Sequence, residues 1–289
     1  MHTIDPALAQ WVRARIAEGR DRSVVIGLLR EHGYDRPLAE WVTAQLFWEQ
    51  ARADATNDAH AGDAAAQRFE PAHPLRCEPH VHRIAADHGD IAVLSRCERP
   101  HVAALGNVLT AAECAALVAY ARPRLQRGRV VNPQGGIGAI DPRRTSDEAF
   151  LKPGETPLVA RIDARIRTLS GVPVSHGEGL LVMRYGVGGE YQPHYDYFDH
   201  ERPGELAHLD IGQRMATLVI YLNDVPAGGE TIFPRAGLSV APIAGNAVYF
   251  AYTDAAGGTD PLSFHGGAPV LAGEKWIATK WLRSKPWTP

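Results

Sequence analysis

The chain has 289 residues, 45% hydrophobic and 22% charged, the proportions of one globular domain of good size or a domain with an appendage. A formal net charge of -3 gives no electrostatic reason to bind nucleic acid or anionic membranes, and no apolar run is long enough to cross a bilayer. Cys77, Cys97 and Cys114 are odd in number and lack C-x-x-C spacing, which argues against a disulfide framework and a thiolate zinc site; with no signal peptide visible in Met1–Pro6, a reducing cytoplasm is expected.

Residues 1–53 read as a small helical bundle. Asp5-Pro6 is an N-cap followed by proline at the first helical position, and Leu8, Trp11, Val12 and Ile16 then recur at helical spacing. Val25, Leu28 and Leu29 form a second stripe, and Leu38, Trp41, Val42 and Leu46 a third. About 50 residues bury little surface alone, so the bundle is expected to dock on the main domain; a partner-recognition role is the sharper alternative. Residues 54–74, rich in Ala, Asp, His and Gln, read as a linker in which His60 and His73 are solvated.

Residues 75–289 have the texture of an α+β domain. Ile91–Leu94 reads as a strand. Thr110-Ala111-Ala112-Glu113 is a capping box opening a helix through Leu117 and Val118, and Thr156-Pro157 opens another that carries Val159, Ile162, Ile166 and Leu169 to Gly171. Between them Val131–Phe150, with three glycines and the cluster Arg143-Arg144-Thr145-Ser146, reads as a long loop that is either disordered or functional, such as a lid. From Gly179 short strands follow one another, at Leu180–Tyr185, Tyr191–Asp196, Met215–Leu222, Glu230–Phe233, Leu238–Val240, Ala247–Ala251, Leu262–His265 and Lys275–Leu282. Such a series after a block of helices predicts a jelly-roll core with helices over one outer face and a mouth where a ligand enters.

Two features carry chemistry. On an extended strand His194 and Asp196 share a face and supply two-thirds of a two-His-one-carboxylate triad, which holds non-heme Fe(II) and leaves positions open. His265, near the end of a predicted strand, offers a third ligand. Ten residues further on, Lys275 heads a strand on which Lys275, Ile277, Thr279 and Trp281 share one face and Trp276, Ala278, Lys280 and Leu282 the other. One lysine therefore faces the barrel interior, and periodicity leaves open which. A buried ammonium needs an anion, and a ligand carboxylate would serve if the protein supplies none.

At this point the sequence resembles the prolyl 4-hydroxylase branch of the 2-oxoglutarate and Fe(II)-dependent dioxygenases, from about Arg99 to Arg283. The motifs in order are Asn107–Cys114, Arg144-Thr145-Ser146, Glu178–Tyr185, Tyr191-Gln192-Pro193-His194-Tyr195-Asp196, Gly228-Gly229-Glu230-Thr231-Ile232-Phe233-Pro234, and His265 with Pro269-Val270-Leu271 and Gly273-Glu274-Lys275-Trp276. The resemblance implies a double-stranded β-helix with iron on His194, Asp196 and His265. It implies 2-oxoglutarate anchored by Lys275, with Tyr185 and Thr231 bonding the same carboxylate and Trp281 packing near it. Glu178, Tyr191 and Arg214 would face a substrate groove, with Arg144 contributing from the lid; an ion pair between Arg214 and Glu178 is the bland alternative. Two departures stand out: Gly266-Gly267-Ala268 where a cysteine often precedes the Pro-Val-Leu run, and Arg283 where a histidine is frequent.

The implied activity is hydroxylation of a prolyl residue, at C4, in a peptide or protein, with 2-oxoglutarate and O2 consumed, succinate and CO2 released, and ascorbate (vitamin C) as reductant. Free proline or another small molecule is the alternative target. A non-catalytic peptide-binding module has no need of His194, Asp196, His265 and Lys275 together, and a zinc hydrolase leaves Lys275 without a purpose. No nucleic acid or membrane partner is expected.

Overall fold

Local signals become elements in the computed structural model, which describes residues 4–59, 69–128, 130–132, 136–139, 144–202 and 205–288. The Leu8 amide donates to the Asp5 carboxylate at 3.0 Å, and α1 runs Pro6–Ala17. With α2 (Arg22–Glu31) and α3 (Arg36–Ala59) it closes a core of Leu8, Val12, Val25, Leu29, Ala39, Val42 and Leu46. Leu38 is exposed, because in the first turn of α3 Ala39 takes the inward position. The third helix runs on through residues 54–59, assigned above to the linker; alanines at 51, 53, 55 and 59 favour helix without an apolar stripe. Residues 60–68, with His60, lie outside the described residues.

The capping box closes reciprocally: the Glu113 amide donates to the Thr110 hydroxyl and the Thr110 amide to the Glu113 carboxylate, starting α4 (Ala111–Ala121). Thr156 caps α5 (Pro157–Ser170), which Gly171 ends at φ 72°, a left-handed turn that favours glycine. A short α6 (Leu206–Asp210) follows later.

The strands are β1 (Arg83–Ile84), β2 (Ile91–Cys97), β3 (His101–Gly106), β4 (Gln126–Arg127), β5 (Val130–Asn132), β6 (Gly136–Ala139), β7 (Asp147–Leu151) and β8 (Leu180–Tyr185). Then come β9 (Tyr191–His194), β10 (Arg214–Tyr221), β11 (Ala227–Gly228), β12 (Thr231–Phe233), β13 (Leu238–Val240), β14 (Ala247–Ala251), β15 (His265–Gly267), β16 (Val270–Ala272) and β17 (Lys275–Arg283). Nine pair in the order β1-β2-β3-β14-β10-β17-β8-β7-β4 and four in the order β13-β12-β15-β9, every pairing antiparallel.

Alternation along the strands sorts the side chains into layers. Ala216, Leu218 and Ile220 of β10 and Trp276, Ala278 and Leu282 of β17 face α4 and α5, packing on Leu117, Ile162 and Leu169. Their alternates, Val219, Tyr221 and Ile277, turn inward with Met183, Tyr185, Phe233 and Phe250 to fill the space between the sheets. This is the expected jelly roll. Its smaller sheet is covered on the outside by the N-terminal bundle, where Trp48 packs on Ile232 and Ala268. Among the described residues no helix is long and apolar enough to cross a membrane.

Three local readings change. Val131–Phe150 contains the β5–β6 hairpin and ends in β7, so it is more ordered than a bare loop; residues 133–135 and 140–143 lie outside the described residues. His265 begins β15 rather than ending a strand, because Pro261–Ser263 forms a 3-10 turn capped by Asp260. Finally, β9 stops at His194, and Asp196 lies in the bend beyond it.

Candidate active site

β9 and β15 pair so that His194 lies directly opposite His265. A residue pair across an antiparallel ladder projects to one face, so both imidazoles enter the space between the sheets. The register shifts between His265 and Gly267, and a Cβ at Gly266 would stand 2.9 Å from the Tyr191 carbonyl oxygen, so this irregular pairing requires glycine there. The bend after β9 brings Asp196 between the two rings. One ligand atom from each of the three residues lies within 4.8 Å of the others.

Each imidazole is oriented by the backbone: His194 Nδ1 lies 2.9 Å from the Gln192 carbonyl oxygen and His265 Nδ1 3.0 Å from that of Ser263. A proton on each Nδ1 leaves the Nε2 lone pairs aimed at the cavity, each 3.5 Å from Asp196. Burial pushes the His265 imidazole down to about 4, so it is neutral at pH 7. Burial pushes the Asp196 carboxyl up, but His265, His194 and Arg214 together hold it well below the usual carboxylate range. Two imidazole nitrogens and one carboxylate on one wall of a cavity fit a metal ion that keeps positions open for other ligands.

The same cavity is lined by Met183, Tyr185, Tyr191, Thr231, Lys275 and Trp281. Lys275 faces inward, and Lys280 points the other way, where its ammonium meets Asp163 of α5 at 2.6 Å. That settles the choice left open by periodicity. Lys275 is 3% exposed, and among the described residues no carboxylate lies within salt-bridge distance of it. Its Nζ is 5.7 Å from the Tyr185 ring centroid, its partner in register across β17 and β8. Thr231 accepts a hydrogen bond from Tyr221 at 2.8 Å, so its own hydroxyl proton is free to donate. The Gly228-Gly229 turn makes room for the lysine: both have positive φ, and a Cβ on Gly229 would come 3.3 Å from Lys275 Cδ. An ammonium, a phenol and a hydroxyl thus line one cavity with the candidate metal centre, the Tyr185 hydroxyl donating to Met183 Sδ at 3.5 Å.

The model of the 2OG-Fe(II) oxygenase superfamily matches residues 180–283. Prolyl 4-hydroxylase subunit alpha-1 of Rattus norvegicus is 39% identical over 188 residues, 65% of this chain but 35% of that protein. The chain thus spans about a third of the length of such relatives. Probable prolyl 4-hydroxylase 10 of Arabidopsis thaliana is 39% identical over 203 residues, 64% of this chain and 69% of the relative. This chain belongs to the prolyl 4-hydroxylase family. A viral collagen prolyl hydroxylase from Paramecium Bursaria Chlorella virus-1, solved as a 2OG complex, superposes with a TM-score of 0.50 at 27% identity, covering 63% of this chain and 95% of that one.

Around the cavity the remaining expected residues fall into two groups. Tyr191 lines the cavity and stacks on His194, ring centroids 3.7 Å apart. Glu178, Arg214 and Arg144 sit behind the lining. Glu178 accepts from Arg214 at 2.6 and 2.9 Å and from Arg283 at 2.8 Å, so the ion pair weighed above exists and is doubled by the unusual Arg283. Arg214 also lies over Trp281, 4.1 Å from its ring centroid. Arg144 is buried, bonded to Ser146 and Glu148, with its guanidinium 5.3 Å from the Tyr191 ring centroid.

Sequence reasoning missed Thr217 and Tyr252. The Thr217 hydroxyl donates to Asp196 Oδ2 at 2.7 Å and lies 2.9 Å from the Tyr252 hydroxyl. The signal was present: Thr217 stands between Met215 and Val219 on the inward face of β10. A buried donor on a carboxylate ligand fixes which oxygen points at the ion. Thr217→Val, nearly equal in volume, is expected to weaken Mn(II) binding by about tenfold, measured by titration against electron paramagnetic resonance of the free ion.

Proposed function

We propose that the protein is a 2-oxoglutarate- and Fe(II)-dependent dioxygenase that hydroxylates a prolyl residue, at C4, in a peptide or protein. The observation that carries this reading is the buried ammonium of Lys275, without a carboxylate partner among the described residues, in one cavity with His194, Asp196 and His265. A buried cation in that position is costly until an anion arrives, and a dicarboxylate carries one group for it and another for a metal ion.

His194, Asp196 and His265 would hold iron. With 2-oxoglutarate and O2 it would supply the oxidising power that puts one oxygen atom on the substrate carbon and the other in succinate, with CO2 released. The chain's own groups do the rest. Lys275 neutralises the far carboxylate of 2-oxoglutarate, Tyr185 and Thr231 donate to it, and Trp281 walls its side. Tyr191 faces the substrate beside the iron ligands. Glu178 and Arg214 stiffen the groove wall from behind Trp281, and Arg144 buttresses Tyr191. Ascorbate is the expected reductant.

We assign residues 1–53 to the bundle, 54–74, into which α3 runs as far as Ala59, to a connecting segment and 75–289 to the oxygenase domain. The three free cysteines support a reducing compartment such as the cytoplasm. The activity is tested by incubating proline-containing peptides with protein, Fe(II), 2-oxoglutarate, ascorbate and O2, with free proline as a parallel arm. A peptide product heavier by one oxygen atom, with equimolar succinate, is expected. Succinate release that no peptide stimulates would overturn the peptide substrate.

A further inference from the structure

The N-terminal bundle lies outside the matched family region, yet it backs the sheet that carries two of the candidate metal ligands. Two contacts join them. Trp48 of α3, itself 7% exposed, packs on Ile232 of β12 and on Ala268 just past β15. Ile232 pairs with Gly266, and its neighbour Thr231 turns the opposite way into the cavity. Ala268 belongs to the Gly-Gly-Ala departure from the family pattern, so the chain's own small residue lies under the chain's own tryptophan.

The second contact is polar. Arg22, at the start of α2, reaches Glu190 at 2.5 Å, and its other nitrogen donates to the carbonyl oxygens of Gly188 and Glu40, each at 3.1 Å. The Glu190 side chain is 1% exposed. Its backbone is bonded on both sides to Thr145, and the next residue is Tyr191, stacked on His194. Burial pushes the Glu190 carboxyl above its usual range, and Arg22 only partly offsets this. Without Arg22, the start of β9 would hold a buried carboxyl with no cation and a turn whose carbonyl has lost its donor.

Resting on the metal-site reading above, we propose that the bundle is the backing of that site: Arg22 and Trp48 are positioning residues that hold β9, β12 and β15 in the register that brings His194, Thr231 and His265 together. Neither touches metal or cosubstrate. Arg22 acts through Glu190 and Tyr191 on His194, and Trp48 acts through Ile232 and Ala268 on Thr231 and His265.

The test uses the full chain and Mn(II) alone, then Mn(II) with 2-oxoglutarate. Arg22→Ala and Trp48→Ala are each expected to weaken Mn(II) binding by about tenfold, in the range seen when groups behind metal ligands are lost. Arg22→Lys, which keeps the charge, should recover part of the affinity. Val12→Ala is the control for bundle stability, because Val12 is fully buried in the bundle core and distant in contact from the sheet. It should lower the thermal midpoint and leave Mn(II) affinity unchanged. Wild-type affinity in folded Arg22→Ala and Trp48→Ala overturns the inference, as does equal weakening by Val12→Ala, which would mark a general loss of stability. A wild-type protein that binds no Mn(II) overturns the metal-site reading and this inference with it. If Arg22→Ala does not fold, Arg22→Lys and Glu190→Gln carry the same comparison.

Discussion

Replacing Lys275 by methionine is expected to weaken 2-oxoglutarate binding by roughly 100-fold and, at the same time, to raise the thermal midpoint of the ligand-free protein. The two effects have one cause. Burial pushes the Lys275 ammonium down to about 8 from an ordinary 10.5, and the Glu230 charge only partly opposes this. Because the native value lies below the unfolded one, at pH 7 folding must bury a charge that the unfolded chain keeps in water. That cost is largest below about pH 8 and fades as pH rises toward 10.5. It amounts to about 3 kcal/mol, at about 1.4 kcal/mol for each tenfold change in proton affinity. Methionine removes it at similar volume, so the midpoint should rise by several degrees. A bound carboxylate reverses the sign. Losing one partner of a buried charge pair costs roughly 2–5 kcal/mol, hence the loss of affinity. The same reasoning gives wild-type 2-oxoglutarate affinity a pH dependence, falling above about pH 8 as the ammonium loses its proton. Calorimetric titration at pH 7 and pH 9, with scanning of both proteins, checks all three. An unchanged affinity in the variant would mean that the carboxylate anchor lies elsewhere.

Asp196→Ala should abolish iron binding at micromolar metal, a loss of at least 100-fold on the scale expected for removing a direct ligand. Asp196 is the sole carboxylate of the three-residue cluster, buried to 6% exposure, and its Oδ2 already accepts from Thr217. The alanine variant leaves two imidazole ligands with no anion to balance a divalent charge, and a threonine hydroxyl without its acceptor. The measurement is optical. Anaerobic wild-type protein with Fe(II) and 2-oxoglutarate should develop the visible charge-transfer band of the chelate, and the variant should not. A band of undiminished intensity in Asp196→Ala would remove this residue from the ligand set and the triad with it.

Much of this site was legible because the chemistry rests on a few residues whose spacing is dictated by strand geometry. The alternation of Lys275–Leu282 gave both faces correctly, and only the choice between Lys275 and Lys280 needed the sheet, since period 2 has no knowledge of which side a helix covers. The pairing of His194 with Asp196 was reached by a partly wrong route. Period 2 puts them on one face of a strand, whereas the strand ends at His194 and a bend delivers Asp196. The bulge that seats His265 opposite His194 depends on Gly266 meeting the Tyr191 carbonyl, a contact between residues far apart in sequence. Thr217 was hidden for the same reason: its polarity is visible, but its acceptor, Asp196, lies in a bend distant in sequence. The fate of Glu178 needed both arginines in place before an ion pair could be told from a substrate contact. The role of the bundle was illegible, because Arg22 and Glu190 meet only once the whole chain is folded.

Strand β17 is hydrogen-bonded to β10 on one side and to β8 on the other. A slip of one residue there would exchange its two faces, pressing the Trp276 indole into the cavity and driving Lys275 toward the apolar helices, while Lys280 would leave Asp163. A one-residue slip spoils both faces at once. The strand therefore acts as a gauge of assembly: the pattern that gives the protein its helix-facing core also turns Lys275 into the cavity, so a chain slipped by one residue loses both together.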